Sequence, residues 1–313
     1  MKYKEIINAK FEDILGQEDV KKHLKSTLLS ERNVILVGPP GIGKTTLAKN
    51  IAKVMPPIER THKDEVTGTK NELLSKKAPF VRVQGSPDLT AEDLIGDIDP
   101  IKALKFGPSS KEAFSPGKIF QANGGVLFFD EINRCSEKLQ NALLQALEEK
   151  KVTIGSYKLD FDANFIFIGT MNPEDTSTEP LSDVFLDRFD MIYVGYPETL
   201  EIEETIVKKA GKKILEFPDL LLEGCLRFIR GLREDDNVEK KPSVRASLGL
   251  YERAQSHALI EGKKEVTHED IQAVMISVLS HRIRLKPSIK YLKKPEDYIR
   301  EEFDQFSEKG GYL

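Results

Sequence analysis

The stretch Gly38-Pro-Pro-Gly-Ile-Gly-Lys-Thr45 decides the fold of this chain, because it fits the pattern G-x-x-x-x-G-K-[ST] of a phosphate-binding loop. The apolar run Val34–Val37 precedes it, and the run Thr46–Lys53 that follows is helix-like. Glycines let backbone N–H groups turn inward around anionic oxygens, and the emerging helix adds the positive end of its dipole. A Gly-rich turn before an ordinary helix is the alternative, which the complete motif in this context disfavours.

The loop predicts that the chain binds the phosphates of a nucleotide together with Mg²⁺. Lys44 is expected to reach the β- and γ-phosphates, and Thr45 is expected to ligate Mg²⁺. The loop and the first residues of the helix are predicted to bind the nucleotide: Gly38, Pro39, Gly41, Ile42, Gly43, Lys44, Thr45 and Thr46.

Composition limits the class of protein. A chain of 313 residues suggests about two domains. Its net charge of −4 is not the basic footprint of a nucleic-acid-binding protein. The two cysteines, Cys135 and Cys225, have neither a metal-binding spacing nor a disulfide framework, so the reducing cytoplasm is expected. No apolar run approaches the roughly 20 residues that span a bilayer, and no signal-like stretch follows Met1, so membrane insertion is not expected.

Five short, nearly continuous apolar runs alternate with helix-like segments, which is typical of a parallel sheet buried on both faces. The runs are Val34–Val37, Phe80–Gln84, Val126–Phe129, Phe165–Gly169 and Met191–Val194. We therefore predict a doubly wound α/β domain over residues 1–197. Two segments interrupt it. Pro56–Pro79 is predicted to be a long loop, and Ile95–Gly117 is predicted to be strand-like material around a turn.

From Leu200 onward the apolar residues recur at helical spacing, which predicts an all-α second domain over residues 198–313. One expected helix covers Val244–Leu259, and a capping box over Thr267–Asp270 begins another. After Leu285 the chain is rich in Lys and Pro, and this tail is expected to be loosely held.

Two carboxylates follow the predicted strand Val126–Phe129. The C-terminal edge of that strand would bring Asp130 and Glu131 beside the phosphate loop. Asp130 is expected to hold the Mg²⁺ shell, and Glu131 is expected to polarise the attacking water. The alternative is a solvated acidic turn, which the buried strand and the upstream loop disfavour.

Three further residues have two interpretations each. Asn172 precedes a proline and would often be a turn residue, but its place after a buried strand favours contact with the water or the γ-phosphate. Arg188 is either a salt-bridged surface arginine or a cation offered to the γ-phosphate of a neighbouring subunit. Arg245 follows the candidate N-cap Ser243, where the helix dipole disfavours a cation, so an external phosphate and a plain surface position both stay open.

Taken in order, these motifs resemble those of the AAA+ ATPases, in the branch of the MoxR proteins and the ATPase (I) subunit of magnesium chelatase. The resemblance runs from Ile14 to about Pro287. The stretches that carry it are Gly124–Arg134, Leu139–Glu148, Val152–Ile154, Gly169–Pro173 and Leu186–Phe189. Residues 95–118 look like the helix-2 insert of the chelatase subunit, residues 152–164 look like the hairpin before sensor 1, and Leu279–Arg284 looks like part of its lid.

The resemblance implies an AAA+ P-loop core with a parallel five-stranded sheet and a small C-terminal all-α lid domain. The residues that match its motifs are Lys44 and Thr45 (Walker A), Asp130 and Glu131 (Walker B), Asn172 (sensor 1), Arg188 (arginine finger), Arg245 (sensor 2) and Ile14–Gln17 (the segment that flanks the adenine). It leaves open whether Arg245 acts on the nucleotide of its own subunit or on that of a neighbour.

Members of this family form rings, usually hexamers. The resemblance therefore implies Mg²⁺-dependent ATP hydrolysis in a homo-oligomeric ring that remodels a partner complex, in metal insertion or protein maturation. Partners in the family often carry a von Willebrand factor A domain, and we expect any such domain on a separate polypeptide. One alternative is a nucleotide-gated scaffold, which the intact Glu131 and Arg188 disfavour. The other is a DNA-associated motor, which the acidic chain disfavours because Lys150, Lys151 and Lys158 are the lysines at the hairpin.

Overall fold

The computed structural model describes residues 2–55, 78–107, 110–154, 159–173, 175 and 181–310. Nearly all of the predicted loop Pro56–Pro79 lies outside the described residues, as do the Gly155-Ser156 turn of the expected hairpin and Lys158. The chain divides into two compact units. The first comprises Met1–Ile14, Glu18–Gly38 and Gly43–Val194, and the second comprises Leu15–Gln17, Pro39–Ile42 and Gly195–Leu313.

The strands and helices of the described residues have the following bounds. The strands are β1 (Asn33–Val37), β2 (Phe80–Gln84), β3 (Gly96–Ile98), β4 (Phe114–Pro116), β5 (Val126–Asp130), β6 (Lys151–Ile154), β7 (Leu159–Asp162), β8 (Ile166–Met171), β9 (Phe189–Tyr193), β10 (Val238–Lys240) and β11 (Arg284–Leu285). The helices are α1 (Lys2–Ile7), α2 (Glu18–Leu29), α3 (Lys44–Val54), α4 (Ala91–Ile95), α5 (Pro100–Phe106), α6 (Lys118–Gln121), α7 (Glu137–Glu149), α8 (Asp183–Leu186), α9 (Leu200–Ala210), α10 (Asp219–Glu234), α11 (Val244–Ile260), α12 (His268–Leu279), α13 (Pro287–Lys290) and α14 (Pro295–Glu308).

A five-stranded parallel sheet forms the centre of the first unit, in the order β2-β5-β8-β1-β9. The five predicted strands and their parallel arrangement are confirmed. Val126–Phe129 of β5 is fully buried, and the ring of Phe129 stacks on that of Phe167 in β8 at a centroid distance of 5.9 Å. This burial explains why the runs of the central strands β1, β5 and β8 are continuously apolar, since neither face of these three strands meets water. The edge strands β2 and β9 are partly exposed.

The interruption at Ile95–Gly117 contains more than the predicted strands and turn. Strands β3 and β4 pair antiparallel, and helix α5 lies between them in the chain. The expectation of a simple turn was wrong because Asp99 and Pro100 begin a helix. The Asp99 carboxylate accepts hydrogen bonds from the N–H groups of Ile101 and Lys102, and proline is well tolerated in the first helical turn. Further along, β6 and β7 pair antiparallel in the segment where the hairpin was expected.

The second unit is built from helices α9 to α14, with a short antiparallel pair of strands, β10 and β11. Its core draws apolar residues from all the longer helices and from both strands. The expected capping box is present, since Thr267 and Asp270 exchange side-chain and backbone hydrogen bonds at the start of α12. Among the described residues, no helix combines the length and the apolar character that a membrane span requires.

The tail after Leu285 is not loosely held, so that prediction was wrong. It forms α13 and α14, and proline occupies the first turn of both helices. Tyr298, Ile299 and Phe303 of α14 are buried, and the Phe303 ring packs edge-on against Phe228 at 5.2 Å. These three residues recur at the spacing of one helix face, and this pattern outweighs the Lys- and Pro-rich composition.

A buried glutamate joins three helices of the second unit. Glu203 of α9 has no exposed surface, and its carboxylate accepts hydrogen bonds from Arg233 of α10 at 2.6 and 2.7 Å and from the Ser247 hydroxyl of α11 at 2.6 Å. Burial alone would raise the pKa of Glu203, but the bonds and charge of Arg233, with Ser247, hold that pKa below its ordinary value. The carboxylate is therefore ionised in the folded unit.

We expect Glu203→Gln to lower the free energy of unfolding of the second unit by about 3 kcal/mol, because it leaves the buried Arg233 without its counter-charge. The matched control is Glu204→Gln, which removes only the surface pair with Lys208 and should cost about 0.5 kcal/mol or less. Hydrogen exchange at the amides of α10 and α11 measures both values.

The pKa of Glu203 is lowered from its ordinary value of 4.5. The stability that the ionised carboxylate gives to the second unit is therefore present above pH 4.5 and is lost as the pH falls through the pKa of the folded state. The difference between the wild type and Glu203→Gln should therefore shrink in acid. Equal exchange rates in the two variants at neutral pH would contradict the role assigned to this carboxylate.

Candidate functional site

Three neighbouring strands of the first unit end at one edge of the sheet and deliver the predicted site residues there. Val37 pairs with Met171, and Phe129 pairs with Gly169, so the carboxyl ends of β1, β5 and β8 lie side by side. The Gly38 N–H donates to the Met171 carbonyl at 3.1 Å. The start of the loop, the carboxylates of Asp130 and Glu131 at the end of β5, and Asn172 after β8 therefore share this edge, as the sequence predicted.

The loop runs directly into helix α3. Gly43 precedes the helix at φ 95°, a left-handed conformation that disfavours any side chain, although a Cβ there would meet nothing within 4 Å. The Lys44 ammonium donates to the Gly38 carbonyl at 2.5 Å, which draws the side chain back across the loop. No acidic residue stands in the first turn of α3, where Thr45 and the exposed Thr46 lie, so the helix N-terminus suits an anion.

Pro39–Ile42, the middle of the loop, belongs to the second unit, as does Arg245. A Cβ on Gly41 would lie 2.9 Å from Cγ of Arg245 and 2.9 Å from the Ser243 hydroxyl oxygen. The aliphatic stem of Arg245 thus rests against a glycine that has no room for a side chain. Ser243 caps α11, as predicted, by accepting a hydrogen bond from the Arg245 N–H at 3.3 Å.

The Asp130 carboxylate is largely buried, and both of its oxygens have partners. Oδ1 accepts a hydrogen bond from the Thr170 hydroxyl at 2.6 Å. Oδ2 lies 2.7 Å from the Arg82 guanidinium and 3.5 Å from the Thr45 hydroxyl. A carboxylate and a hydroxyl at the phosphate loop are hard oxygen donors of the kind that Mg²⁺ prefers, so Thr45 and Asp130 fit the predicted metal site.

Glu131 is held in a strained backbone conformation, with φ 56°. Its N–H donates to the Thr170 hydroxyl oxygen at 2.9 Å, and its side-chain Oε2 accepts from the Gln84 amide at 2.9 Å. Gly85 makes this arrangement possible, because a Cβ at that position would lie 2.0 Å from the Glu131 carbonyl oxygen. The Glu131 carboxylate is therefore aimed by the end of β2 as well as by its own strand.

Arg134, three residues after Glu131 in the chain, also contacts the Glu131 carboxylate. Arg134 Nη1 lies 3.3 Å from Glu131 Oε2, while Arg134 Nη2 donates to Asp175 at 2.8 Å. The hydrogen bond with Asp175 raises the pKa of Arg134. The Asn133 amide donates to the Asn172 carbonyl at 3.3 Å, which ties the turn after β5 to the predicted sensor.

Arg188 lies at the opposite edge of the sheet, immediately before β9. It forms an ion pair with Glu148 of α7, to which its Nε donates at 2.7 Å, and its Nη1 donates to the Val184 carbonyl at 2.6 Å. A cavity of about 620 Å³ at this edge is lined by Arg188 together with Asn33 and Ile166, which begin β1 and β8. That cavity lies away from the phosphate loop and is not the candidate nucleotide site.

Both cysteines are buried free thiols. Burial raises the pKa of Cys135 to about 11, so its sulfur stays protonated and unreactive at neutral pH. Among the described residues, no cluster of three or more His, Cys, Asp and Glu side chains could hold a metal ion.

Five residues of this edge escaped the sequence analysis: Arg82, Gln84, Gly85, Arg134 and Thr170. Gln84 and Thr170 stand at the ends of predicted strands, and that position was the available signal. Their partners depend on which strands are neighbours, and the apolar pattern does not encode strand order.

Comparisons with known proteins agree with this geometry. Residues 10–183 match the family model described as magnesium chelatase, subunit ChlI, and residues 232–302 match an AAA lid domain. Chaperone MoxR1 of Mycobacterium tuberculosis is 29% identical over 303 residues, covering 87% of this chain and 73% of that protein. The magnesium-chelatase subunit ChlI of Euglena gracilis is 26% identical, covering 88% and 91%.

A solved structure shows the same fold at lower identity. The RuvB Holliday junction branch migration motor of Thermotoga maritima is 20% identical, with a TM-score of 0.53 over 88% of this chain and 74% of that one. At this identity the likeness concerns the fold alone.

Thr170→Val should destabilise the carboxyl edge of the sheet. The valine keeps the volume but leaves the Glu131 N–H and one oxygen of Asp130 without the buried hydroxyl, which costs about 1–3 kcal/mol. Hydrogen exchange of peptides covering β5 and β8 should accelerate in Thr170→Val and stay near the wild type in Thr170→Ser. If Val and Ser behave alike, the hydroxyl does not hold this edge together.

Proposed function

Because the chain belongs to the magnesium chelatase subunit ChlI family of AAA+ ATPases, in the branch that includes the MoxR proteins, we propose that it hydrolyses ATP with Mg²⁺ in an oligomeric ring. The observation that carries the proposal is the juxtaposition of Thr45, Asp130 and Glu131 at the edge where the phosphate loop begins. The γ-phosphate of a triphosphate in the loop would lie beside the carboxylates of Asp130 and Glu131. Asp130 is held by Thr170 and Arg82, and Glu131 is held by Gln84, so the two can perform different tasks.

The loop residues bind and neutralise the phosphates. Gly41 to Thr46 supply backbone N–H donors and the N-terminus of α3, and the Lys44 ammonium exchanges its Gly38 carbonyl partner for phosphate oxygens. Thr45 and Asp130 would hold Mg²⁺, and the bound ion would supply positive charge that offsets the charge of the phosphates. The Thr170 hydroxyl fixes the rotation of the Asp130 carboxylate.

Glu131 would orient the attacking water and accept a proton from it as the water oxygen bonds to the γ-phosphorus, while the bond from that phosphorus to the bridging oxygen breaks and ADP leaves. The Gln84 amide occupies one oxygen of this carboxylate and leaves the other for the water. Asn172 follows the adjacent strand and is proposed to hold the water or the γ-phosphate from the other side. Arg245 is proposed to supply a further cation to the phosphates.

Arg188 cannot serve the nucleotide of its own chain. It lies four residues down the sheet from Asp130 and three strands across, about 20 Å away by strand geometry. We therefore propose that it completes the site of the next subunit in a homo-oligomeric ring, of the hexameric kind usual in this family. In a single chain Arg188 pairs with Glu148, and in the ring it would turn to the phosphate of the neighbouring subunit. Both interpretations that the sequence left open would then apply to Arg188, each in a different state.

Adenine recognition is proposed for Ile14–Gln17. Gln17 is 8% exposed, and its side-chain Oε1 has no hydrogen-bond donor among the described residues. Its Nε2 donates to the Gly195 carbonyl at 3.2 Å, so the amide orientation leaves an acceptor unused. The exocyclic amine of adenine is a donor of the required kind.

The work done by hydrolysis is proposed to be the remodelling of a separate partner protein, in protein maturation or metal insertion. The names of the relatives, a chaperone and a chelatase subunit, support these two settings. Helix α5 in the helix-2 insert exposes Ile101 and Leu104 almost completely, which gives the insert an apolar contact surface. The proposed partner carries a von Willebrand factor A domain, and the proposed location of both proteins is the cytoplasm.

Glu131→Gln should retain ATP binding while steady-state phosphate release falls at least about 100-fold, because the amide cannot accept a proton from water. Glu137→Gln, an exposed glutamate in the first turn of α7, is the matched control and should leave turnover unchanged. Fluorescent-nucleotide binding and a phosphate-release assay supply the two readouts.

Turnover that survives in Glu131→Gln would remove the proposed mechanism. A wild-type protein that binds ATP and assembles without releasing phosphate would instead favour the nucleotide-gated scaffold. Binding of single-stranded DNA that weakens steeply with salt would favour the DNA-associated motor.

A further inference from the structure

We propose that Arg82 is a positioning residue that holds the metal-facing oxygen of Asp130 and so couples the binding of Mg²⁺ to the binding of nucleotide. The inference rests on the proposed nucleotide site and adds a residue that none of its motifs contains. Arg82 lies in the middle of β2, outside the phosphate loop and outside the strand that carries the two carboxylates.

The contact is specific to one oxygen. Arg82 Nη2 lies 2.7 Å from Asp130 Oδ2, and the Thr45 hydroxyl faces this same oxygen at 3.5 Å. The other oxygen, Oδ1, is committed to the Thr170 hydroxyl at 2.6 Å. A cation held between Thr45 and Asp130 therefore has to use the oxygen that the guanidinium now occupies.

The sheet geometry explains why Arg82 reaches this position. Strand β2 pairs with β5 so that Gln84 stands opposite Asp130, and Arg82 stands opposite Phe128. Side chains alternate along a strand, so Arg82 and Gln84 emerge on the same face, two residues apart. The long arginine side chain spans that offset, and half of it stays exposed, which leaves it free to swing away.

The same guanidinium also touches the residue that aims Glu131. Arg82 Nη2 lies 3.3 Å from the Gln84 side-chain oxygen, and the Gln84 amide donates to Glu131 Oε2 at 2.9 Å. The metal-binding carboxylate and the water-activating carboxylate are thus joined through Arg82 and Gln84. If Arg82 moved away from Asp130, Gln84 would lose its contact with Arg82, and the position of the Glu131 carboxylate would change with it.

The charges fix the direction of the coupling. Without Mg²⁺, Arg82 neutralises Asp130 and lessens its repulsion of a triphosphate. When Mg²⁺ binds, Arg82 has to leave Oδ2 of Asp130, and the loss of this ion pair reduces the free energy gained by binding the metal. Removing Arg82 should therefore weaken nucleotide binding in the absence of Mg²⁺ and strengthen it in the presence of Mg²⁺.

The test compares dissociation constants of a fluorescent ATP analogue in EDTA and in Mg²⁺, using the full chain. The dissociation constant in EDTA divided by that in Mg²⁺ should rise about three- to tenfold in Arg82→Gln. This is the range for a half-exposed ion pair beside a largely buried carboxylate. Arg82→Lys keeps the charge and should restore most of the wild-type ratio. Mn²⁺ titration of the ADP complex, followed by electron paramagnetic resonance, should show tighter metal binding in Arg82→Gln.

The matched control is Arg32→Gln. Arg32 is also about half exposed and forms a 2.8 Å pair with an aspartate, Asp190, but at the opposite edge of the sheet. The ratio of the dissociation constant in EDTA to that in Mg²⁺ should be the same in Arg32→Gln as in the wild type.

Three outcomes would overturn the inference. A ratio unchanged within twofold in Arg82→Gln shows that Arg82 does not couple the two ligands. Equal weakening in EDTA and Mg²⁺, not rescued by Lys, shows that Arg82 only supports the fold. A wild-type chain that binds no nucleotide in either condition refutes the proposed function itself, and the inference with it.

Discussion

The parallel pairing of β5 with its two neighbours is the constraint on which the site depends. Because β5 lies between β2 and β8, the residues at its carboxyl end meet polar side chains from both sides. Thr170 of β8 fixes Asp130 and the Glu131 backbone, while Gln84 of β2 takes one oxygen of the Glu131 carboxylate. A slip of one residue in either pairing would turn these side chains to the other face of the sheet and dissolve the site.

The sequence was sufficient for those parts of the fold and site that are encoded in one continuous stretch. The phosphate loop, the strand that ends at Asp130 and the capping box at Thr267 each follow from neighbours along the chain. Arg82 and Thr170 could not be found in this way, because their partners are set by strand order and register. The tail was misjudged for another reason, since its Lys and Pro content obscured the helical spacing of the buried residues of α14.

The first unit separates its charged groups between two edges of one sheet. The carboxylates and Lys44 lie at the carboxyl edge, while Arg188 lies at the amino edge, paired with Glu148. Within one chain, strand geometry keeps these groups too far apart to meet on a single phosphate. A second copy that brings its amino edge to the loop would satisfy both ends, and this is the physical reason for proposing that the site is shared.

A subunit-mixing experiment tests the shared site most directly. Lys44→Ala disables the loop and Arg188→Ala disables the donated cation, so each variant alone should release almost no phosphate. When the two are mixed in equal amounts before assembly, about a quarter of the interfaces should combine an intact loop with an intact Arg188, and turnover should recover to about that fraction of the wild type. A mixture no more active than its two components, or full activity in Arg188→Ala alone, would contradict the account.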